Sequence, residues 1–436
     1  MWFEKSVLYH IYPFGFCGVP ERKGEETECR ISKVSDWIPH MSRLGVDALY
    51  LGPIFESDRH GYDTRDYRRI DGRLGENDDF AEVCEELHRA GIYVILDGVF
   101  NHVGRGFWAF KDIQENRENS KYRDWFSVNF GGDSPYGDGF WYEGWEGHYE
   151  LVKLNLRNEE VIQHIFSCVR DWIGEFGIDG IRLDVAYMLD RDFIRRLSRF
   201  VKGIRPDFFL LGEIIHGDYN EIVGEDKLDS CTNYECYKGL YSSFNSLNMF
   251  EIAHSLNRQF GPEHWTLYRD KHLVIFADNH DVDRIASTLT KPEHLPLLYG
   301  LMFAMPGIPC IYYGSEWGAK GKKQGGDDNP LRPSFDEPVS NDLTKIVSIF
   351  AEIHRREEAL IYGTYKQIAL NNGQIIFLRD YRGQRIFVAI NAADTSAVLY
   401  SHEMNFSGEN LLTGEVRTFS NGMELPKLSV SYWKVK

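Results

Sequence analysis

Residues 177–186 read GIDGIRLDVA and set Arg182 and Asp184 two apart in a run of isoleucine, leucine, valine, alanine and glycine. In an extended strand, residues two apart share a face. Ile178, Gly180, Arg182, Asp184 and Ala186 then form one row, and Asp179, Ile181, Leu183 and Val185 the other. Two charges on a face made for burial must neutralise each other, because an isolated buried charge is very costly. Arg182 is expected to hold the Asp184 carboxyl low and ionised at neutral pH, as a carboxylate nucleophile requires. Gly180 is expected to leave room beneath the pair. Taken alone, the stretch is equally well read as a structural ion pair. Three further segments add to it. LLGEIIH puts Glu213 on the face of Phe209 and Leu211, among apolar neighbours with no cation beside it in sequence. Such a carboxyl is pushed up towards a group that can give a proton near neutral pH. FADNHD supplies His280 and Asp281, and ILDGVFNH supplies His102. Because His280 and Asp281 are adjacent, their strand must end or bend there for both to point inward.

Three carboxyls, one arginine, two histidines and nearby aromatics suit glycoside hydrolysis. In the retaining form, a carboxylate and a carboxylic acid flank the bond at ~5–5.5 Å. Tyr62, Trp141 and Trp145 offer faces on which sugar rings stack. A metal-dependent hydrolase is the competing chemistry, but the chain has no H-x-H or H-E-x-x-H spacing. An arginine inside the cluster also repels a cation, so no metal ligand is assigned.

These residues lie at the C-terminal ends of predicted strands. Apolar segments SVLYHIYP, VDALYLGPI, IYVILDGVF, IDGIRLDVA, FFLLGEII, DSCTNYE, HLVIFADNHD and IPCIYYGSE alternate with amphipathic ones. The latter include ISKVSDWIPHMSRLG, NDDFAEVCEELHRAG, NEEVIQHIFSCVRDWIGEFG and RDFIRRLSRFVKGI. Asn158 is a good N-cap for the third of these helices, and Gly177 a good stop. About eight strand–helix units predict a closed (β/α)8 TIM barrel, an α/β fold whose chemistry sits at the C-terminal strand ends. The sixth strand carries the weakest signal. Residues 103–150, rich in aromatics and glycines, interrupt the unit after strand three and read as an insertion over one barrel end. Residues 361–436 switch to period-two alternation, which predicts a C-terminal antiparallel β-domain, assigned as a β-sandwich. The barrel then comprises 1–102 and 151–360.

At 436 residues and 43% hydrophobic, the chain can bury a large core. Its formal charge of -17 comes with no basic stripe, which excludes nucleic acid as an expected partner. Seven scattered cysteines without a C-x-x-C pair suit reduced thiols. No apolar run reaches the ~18 residues of a membrane span, and no basic-then-apolar leader opens the chain. A soluble, cytoplasmic protein is the expectation.

With those residues in place, the chain resembles the α-amylase family of glycoside hydrolases. DGVFNH, GIDGIRLDVA, LLGEII and FADNHD match its four main motifs in order, and GIPCIYYGSEWG matches its strand-eight segment. HGYDTRDY, FWAFKDIQENRENSKYRDWF, LVKLN and GEIIH are similar to the neopullulanase and cyclomaltodextrinase branch. The resemblance implies a retaining enzyme acting on α-1,4 bonds of malto-oligosaccharides, cyclodextrins or related α-glucans. It implies Asp184 as nucleophile, Glu213 as acid and base, and Asp281 as the group that holds the distorted sugar. Arg182 would orient Asp184, with Asp97 a second partner. His102 and His280 would bind the sugar before the scissile bond, Tyr62 would stack beneath it, and Arg332 would reach the next sugar or stand exposed in its loop. A transglycosylase, an α-1,6-active relative and a silent binding subunit are the alternatives. No cofactor is implied as required. Tyr187 and Met188 replace the Lys-His pair of many α-amylases, so that calcium site is not expected. The predicted barrel begins almost at Met1, so the branch's N-terminal β-domain is not expected, and Ile215 stands where the branch has Trp, which leaves cleft shape and oligomeric state open.

Overall fold

The structure, a computed structural model, describes residues 1–20 and 28–436. Eight parallel strands form its centre. They are β1 (Leu8–Ile11), β2 (Ala48–Leu51), β3 (Tyr93–Gly98), β4 (Gly180–Leu183), β5 (Phe209–Gly212), β6 (Ser230–Cys231), β7 (Val274–Phe276) and β8 (Ile308–Tyr312). Hydrogen bonding runs in the order β6-β5-β4-β3-β2-β1-β8-β7, and a parallel bridge between Thr232 and Val274 closes the ring. The barrel read from the sequence is therefore present. Its sixth strand is only two residues long, which explains the weak signal of DSCTNYE.

Side-chain alternation sorts the strands into two faces. Leu8, Ala48, Tyr50, Ile95, Phe209, Leu211, Val274, Phe276, Ile308 and Cys310 pack together inside the ring, plugged at the bottom by Trp2 and Phe3. Tyr9, Ile11, Leu49, Leu51, Val94, Leu96, Ile181, Leu183 and Leu210 face the helices. Gly180 aligns with Ile95 and Phe209 in the interior row. A Cβ there would lie 2.8 Å from the Phe209 carbonyl oxygen, so the glycine permits close packing rather than leaving a void. One step up the same row, Arg182 stands opposite Asp97. The interior thus turns from apolar to charged towards the C-terminal mouth.

Helices α1 (Ile38–Leu44), α2 (Asn77–Arg89), α3 (Glu159–Glu175), α4 (Arg191–Ile204), α5 (Tyr234–Ser246), α6 (Phe250–Phe260), α7 (Leu295–Ala304) and α8 (Asp342–Arg356) cover the ring. Asn158 caps α3 by accepting from the Glu160 and Val161 amides, and Gly177 follows in the left-handed region at φ 67°. The first helical segment is broken: a turn at Lys33–Asp36 is separate from α1, whose second residue is Pro39. Three aspartates fasten the bottom of the barrel, each one residue before an even-numbered strand. Asp47, Asp179 and Asp229 accept the Val7, Val94 and Leu210 amides at 2.9, 2.8 and 2.8 Å. Each also pairs with a cation from a surrounding helix or its end, namely Arg355, Arg205 and Lys202.

The insertion after β3 is built on a strand at His102–Gly104 paired antiparallel with His148–Lys153. It therefore reaches slightly beyond 103–150 on both sides. Phe110, Phe126, Phe140 and Tyr142 meet in its core. At the other end lie β9 (Thr364–Leu370), β10 (Gln374–Tyr381), β11 (Gln384–Asn391), β12 (Ala397–Asn410), β13 (Val416–Leu425) and β14 (Ser429–Val435). They form one antiparallel sheet in the order β9-β10-β11-β14-β12-β13, where the sequence reading expected a sandwich of two sheets. The long β12–β13 ribbon changes register between Tyr400 and Asn405, and Phe406, Phe419 and Trp433 pack beneath it. Helix α7, LPLLYGLMFA, is apolar all round because it is wedged between barrel and sheet. Buried Arg379 bridges to it through the Ala304 carbonyl at 2.7 Å. No helix among the described residues is long and apolar enough to cross a membrane.

Asp179→Ala strips acceptors from the Val94 amide, His88 and Arg205 at once. It is expected to cost about 2–3 kcal/mol of stability, measured by denaturant unfolding.

Candidate active site

Polar groups from several strand ends meet at the barrel mouth. Arg182, 2% exposed, is their hub. Its Nη1 donates to both oxygens of Asp97 at 2.9 Å and to Asp184 Oδ1 at 2.8 Å. Its Nη2 reaches Glu213 Oε2 at 2.9 Å. The Val185 amide donates to that same Glu213 oxygen at 3.0 Å. Val185 adopts φ 40°, a left-handed conformation that a β-branched residue rarely takes. The chain turns sharply there, immediately after Asp184, and this turn aims the amide at Glu213.

Two expectations need correction. Glu213 does have a cation beside it, supplied by the neighbouring strand and invisible in its own sequence. Nor does Arg182 hold Asp184 low. Burial pushes the Asp184 carboxyl up to about 7; Arg182 pulls against it, and Asp97 and Asp281 add to the rise. Glu213 also rises to about 7, from burial, against Arg182 and with Asp184 and Asp281. Asp97 rises to about 6, again chiefly from burial. One guanidinium cannot fully offset three buried carboxylates, so the cluster retains protons that free acids would lose. Donor placement distinguishes the acids: both donors to Glu213 fall on Oε2, which leaves Oε1 as the oxygen able to carry a proton.

His102, 1% exposed, has its Nδ1 3.1 Å from the Asn101 amide nitrogen. The amide donates, so the imidazole proton sits on Nε2, 4.0 Å from Asp184 Oδ2. Burial lowers this histidine to about 3, and the ring stays neutral. His280, equally buried, places Nε2 against the Tyr62 hydroxyl and 3.0 Å from Asp281 Oδ2. β7 ends at Phe276, ahead of His280 and Asp281, as their adjacency required. Tyr62 also donates to Asp97 Oδ2 at 3.3 Å, and its ring lies parallel to His280 at 5.7 Å. Arg332 is not an exposed loop residue. It donates to the His280 carbonyl at 3.0 Å, to Asp281 Oδ1 at 2.9 Å and to Asp328 at 3.2 Å, and it lies over the Tyr12 ring.

A cleft of about 650 Å³ opens above these groups, lined among others by Tyr62, His102, Trp145, Asp184, Glu213 and Asp281. Arg332 and Ile215 line it too, whereas Arg182 and His280 sit behind the wall. Trp141 turns to Tyr149 instead and does not line the cleft. Sequence reasoning missed Tyr12, Tyr234, Lys323 and Asp328. Tyr12 follows the end of β1 and Asp328 lies four residues before Arg332, which are the signals that could have found them. Among the described residues no three His, Cys, Asp or Glu side chains are grouped to hold a metal ion.

The family description "Alpha amylase, catalytic domain" matches residues 25–348. A cyclomaltodextrinase of a Bacillus species is 31% identical over 420 residues, spanning 89% of this chain and 73% of that protein. Neopullulanase 2 of Thermoactinomyces vulgaris is 34% identical over 357 residues, spanning 73% of this chain but 57% of that protein. The solved cyclic α-maltosyl-(1→6)-maltose hydrolase of Arthrobacter globiformis superposes with a TM-score of 0.85 at 26% identity, over 100% of this chain and 99% of that one.

An unfolded carboxyl ionises near pH ~4, and the buried ones here ionise later. Between those limits the folded state binds more protons, so these groups contribute stability that is lost as pH rises towards 7. Asp184→Asn, which removes one crowded charge, is expected to raise stability by about 1–2 kcal/mol at pH 8. The gain should shrink below pH 5 in paired thermal melts.

Proposed function

The chain belongs to the α-amylase family of glycoside hydrolases, and from that premise we propose that it cleaves α-1,4-glucosidic bonds in malto-oligosaccharides, cyclodextrins or related α-glucans with retention. The observation that carries this reading is the bridging of Asp184 and Glu213 by the two terminal nitrogens of one guanidinium. That bridge favours the short carboxyl separation of a retaining pair, ~5–5.5 Å, over the ~6.5–9.5 Å gap that an inverting enzyme keeps for water.

Glu213 carries its proton on Oε1 and gives it to the leaving oxygen. Asp184, in its ionised form and oriented by its bond to Arg182, attacks the anomeric carbon. The C–O bond to the leaving sugar breaks as the ester to Asp184 forms. Glu213, now a carboxylate, takes a proton from water as the water oxygen attacks the anomeric carbon and the ester bond to Asp184 breaks, which releases the sugar with its original anomeric configuration and leaves Asp184 as a carboxylate. Asp281, oriented by Arg332 and His280, accepts hydroxyls of the flattened ring. His102 directs its Nε2–H towards the same sugar, His280 acts through Tyr62 and Asp281, to which its Nε2 is turned, and Tyr62 provides a face beneath the ring. Ile215, 46% exposed beside Glu213, offers the departing sugar an aliphatic surface. We propose a barrel of 1–102 and 151–360, an insertion of 103–150 whose paired strands straddle those bounds, and a β-domain of 361–436; the insertion supplies Trp145 and one cleft wall. A cytoplasmic location fits the seven unpaired thiols and the intracellular maltogenic amylase of Bacillus subtilis, 30% identical over 342 residues.

Chromatography of products from maltoheptaose, β-cyclodextrin, pullulan and panose tests the substrate class. The expected outcome is cleavage at α-1,4 positions, with the α-anomer released first. Glu213→Gln is expected to lower kcat on maltotriose by about 10²–10⁴-fold. It should cost far less on an α-glucosyl fluoride, whose leaving group needs no proton. Asp184→Asn should abolish turnover of both.

A further inference from the structure

The two histidines beside the carboxyl cluster are held differently. Asn101 fixes the Nδ1 of His102, whereas the Nδ1 of His280 is buried with no partner. Its proton has nevertheless been assigned by its surroundings. Tyr62 donates to Asp97, so the phenol oxygen accepts from His280, and the imidazole proton belongs on Nε2. A bare Nδ1 remains, pointing away from the cleft into the barrel. Burial pushes the pKa of His280 well below its ordinary value, so the ring does not fill that position with a second proton.

A small space lies on that side. It measures about 20 Å³ and is bordered by His10, Tyr50, Arg182, Glu213, Asn279 and His280. One water needs roughly 10–15 Å³ of such room and two to four polar partners. Three orphaned atoms are present: His10 Nε2, the Tyr50 hydroxyl and His280 Nδ1, on side chains 2%, 6% and 1% exposed. The rings are in contact, with His10 stacked on Tyr50 at 4.2 Å and edge-on to His280 at 5.0 Å. A small anion is the other species that fits. Arg182, the adjacent cation, already faces three carboxyls, so the space favours a neutral guest.

We propose that one buried water occupies this space, donating to His280 Nδ1 and accepting from His10 and Tyr50, which makes His10 and Tyr50 positioning residues that hold His280 in its Nε2–H form. The catalytic consequence rests on the proposed function above; the water and the tautomer do not.

A high-resolution crystal structure and nitrogen-15 NMR of histidine-labelled protein test this in wild type, His10→Phe, His10→Gln and Tyr50→Phe. Expected in wild type are density for one water at the three atoms and an unprotonated Nδ1 on His280. In His10→Phe and Tyr50→Phe the His280 resonances should shift, and kcat should fall about tenfold with KM little changed. His10→Gln, which keeps an N–H, should restore both. An empty cavity, a proton on His280 Nδ1, a rate that depends on added chloride, or Phe variants with wild-type resonances and rate would overturn the proposal. Loss of α-glucan turnover with the water and bare Nδ1 intact would defeat the functional reading and leave this site standing.

Discussion

A single guanidinium, closed off from solvent, has to satisfy three carboxyl groups. Arg182 can do so because β3, β4 and β5 run parallel and in register, which sets Asp97 opposite it and Glu213 one strand over. Burial makes the arrangement costly, since the charges exceed what one cation can offset. The cost is also the source of the chemistry. Acids that would be ionised in water retain protons here, and a proton held near neutral pH is what a leaving oxygen needs. The rest of the structure supports this cluster. The apolar lower layers of the barrel fix the strands, the aspartates at its base fix their heights, and the insertion closes one side of the cleft.

The same constraint reaches outward through a chain of polar contacts. Tyr62 links Asp97 to His280, His280 links to Asp281, and Arg332 joins Asp281 to Asp328. Few of these groups are free to turn. On the proposed function, the sugar is met by groups whose direction is set before it arrives, the preorganisation from which electrostatic catalysis draws. Val185, strained at φ 40°, belongs to this scheme because its amide reaches Glu213 only through that turn.

Much of this was legible in the sequence. Period-two alternation in GIDGIRLDVA put Arg182 and Asp184 inward, and the strand-end positions of Glu213, His102 and Asp281 followed from the strand–helix rhythm. What remained hidden depends on neighbours across strands. Glu213 has no cation near it in sequence, yet register brings Arg182 to 2.9 Å. Arg182 looked sufficient to keep Asp184 ionised until two more carboxyls were found on the same guanidinium. For Arg332 an exposed loop position stayed open, because two of its partners lie 51 and 52 positions away. The single C-terminal sheet escaped for a similar reason. Alternation marks a strand but does not say which strand pairs with it.

The account turns on Asp184 and Glu213 being in different protonation states within one cluster. Neutron diffraction from a deuterated crystal at neutral pH measures this directly. The account predicts a deuteron on Glu213 Oε1 and none on Asp184, with Arg182 fully deuterated between them. A deuteron on Asp184, or bare oxygens on both, would contradict it.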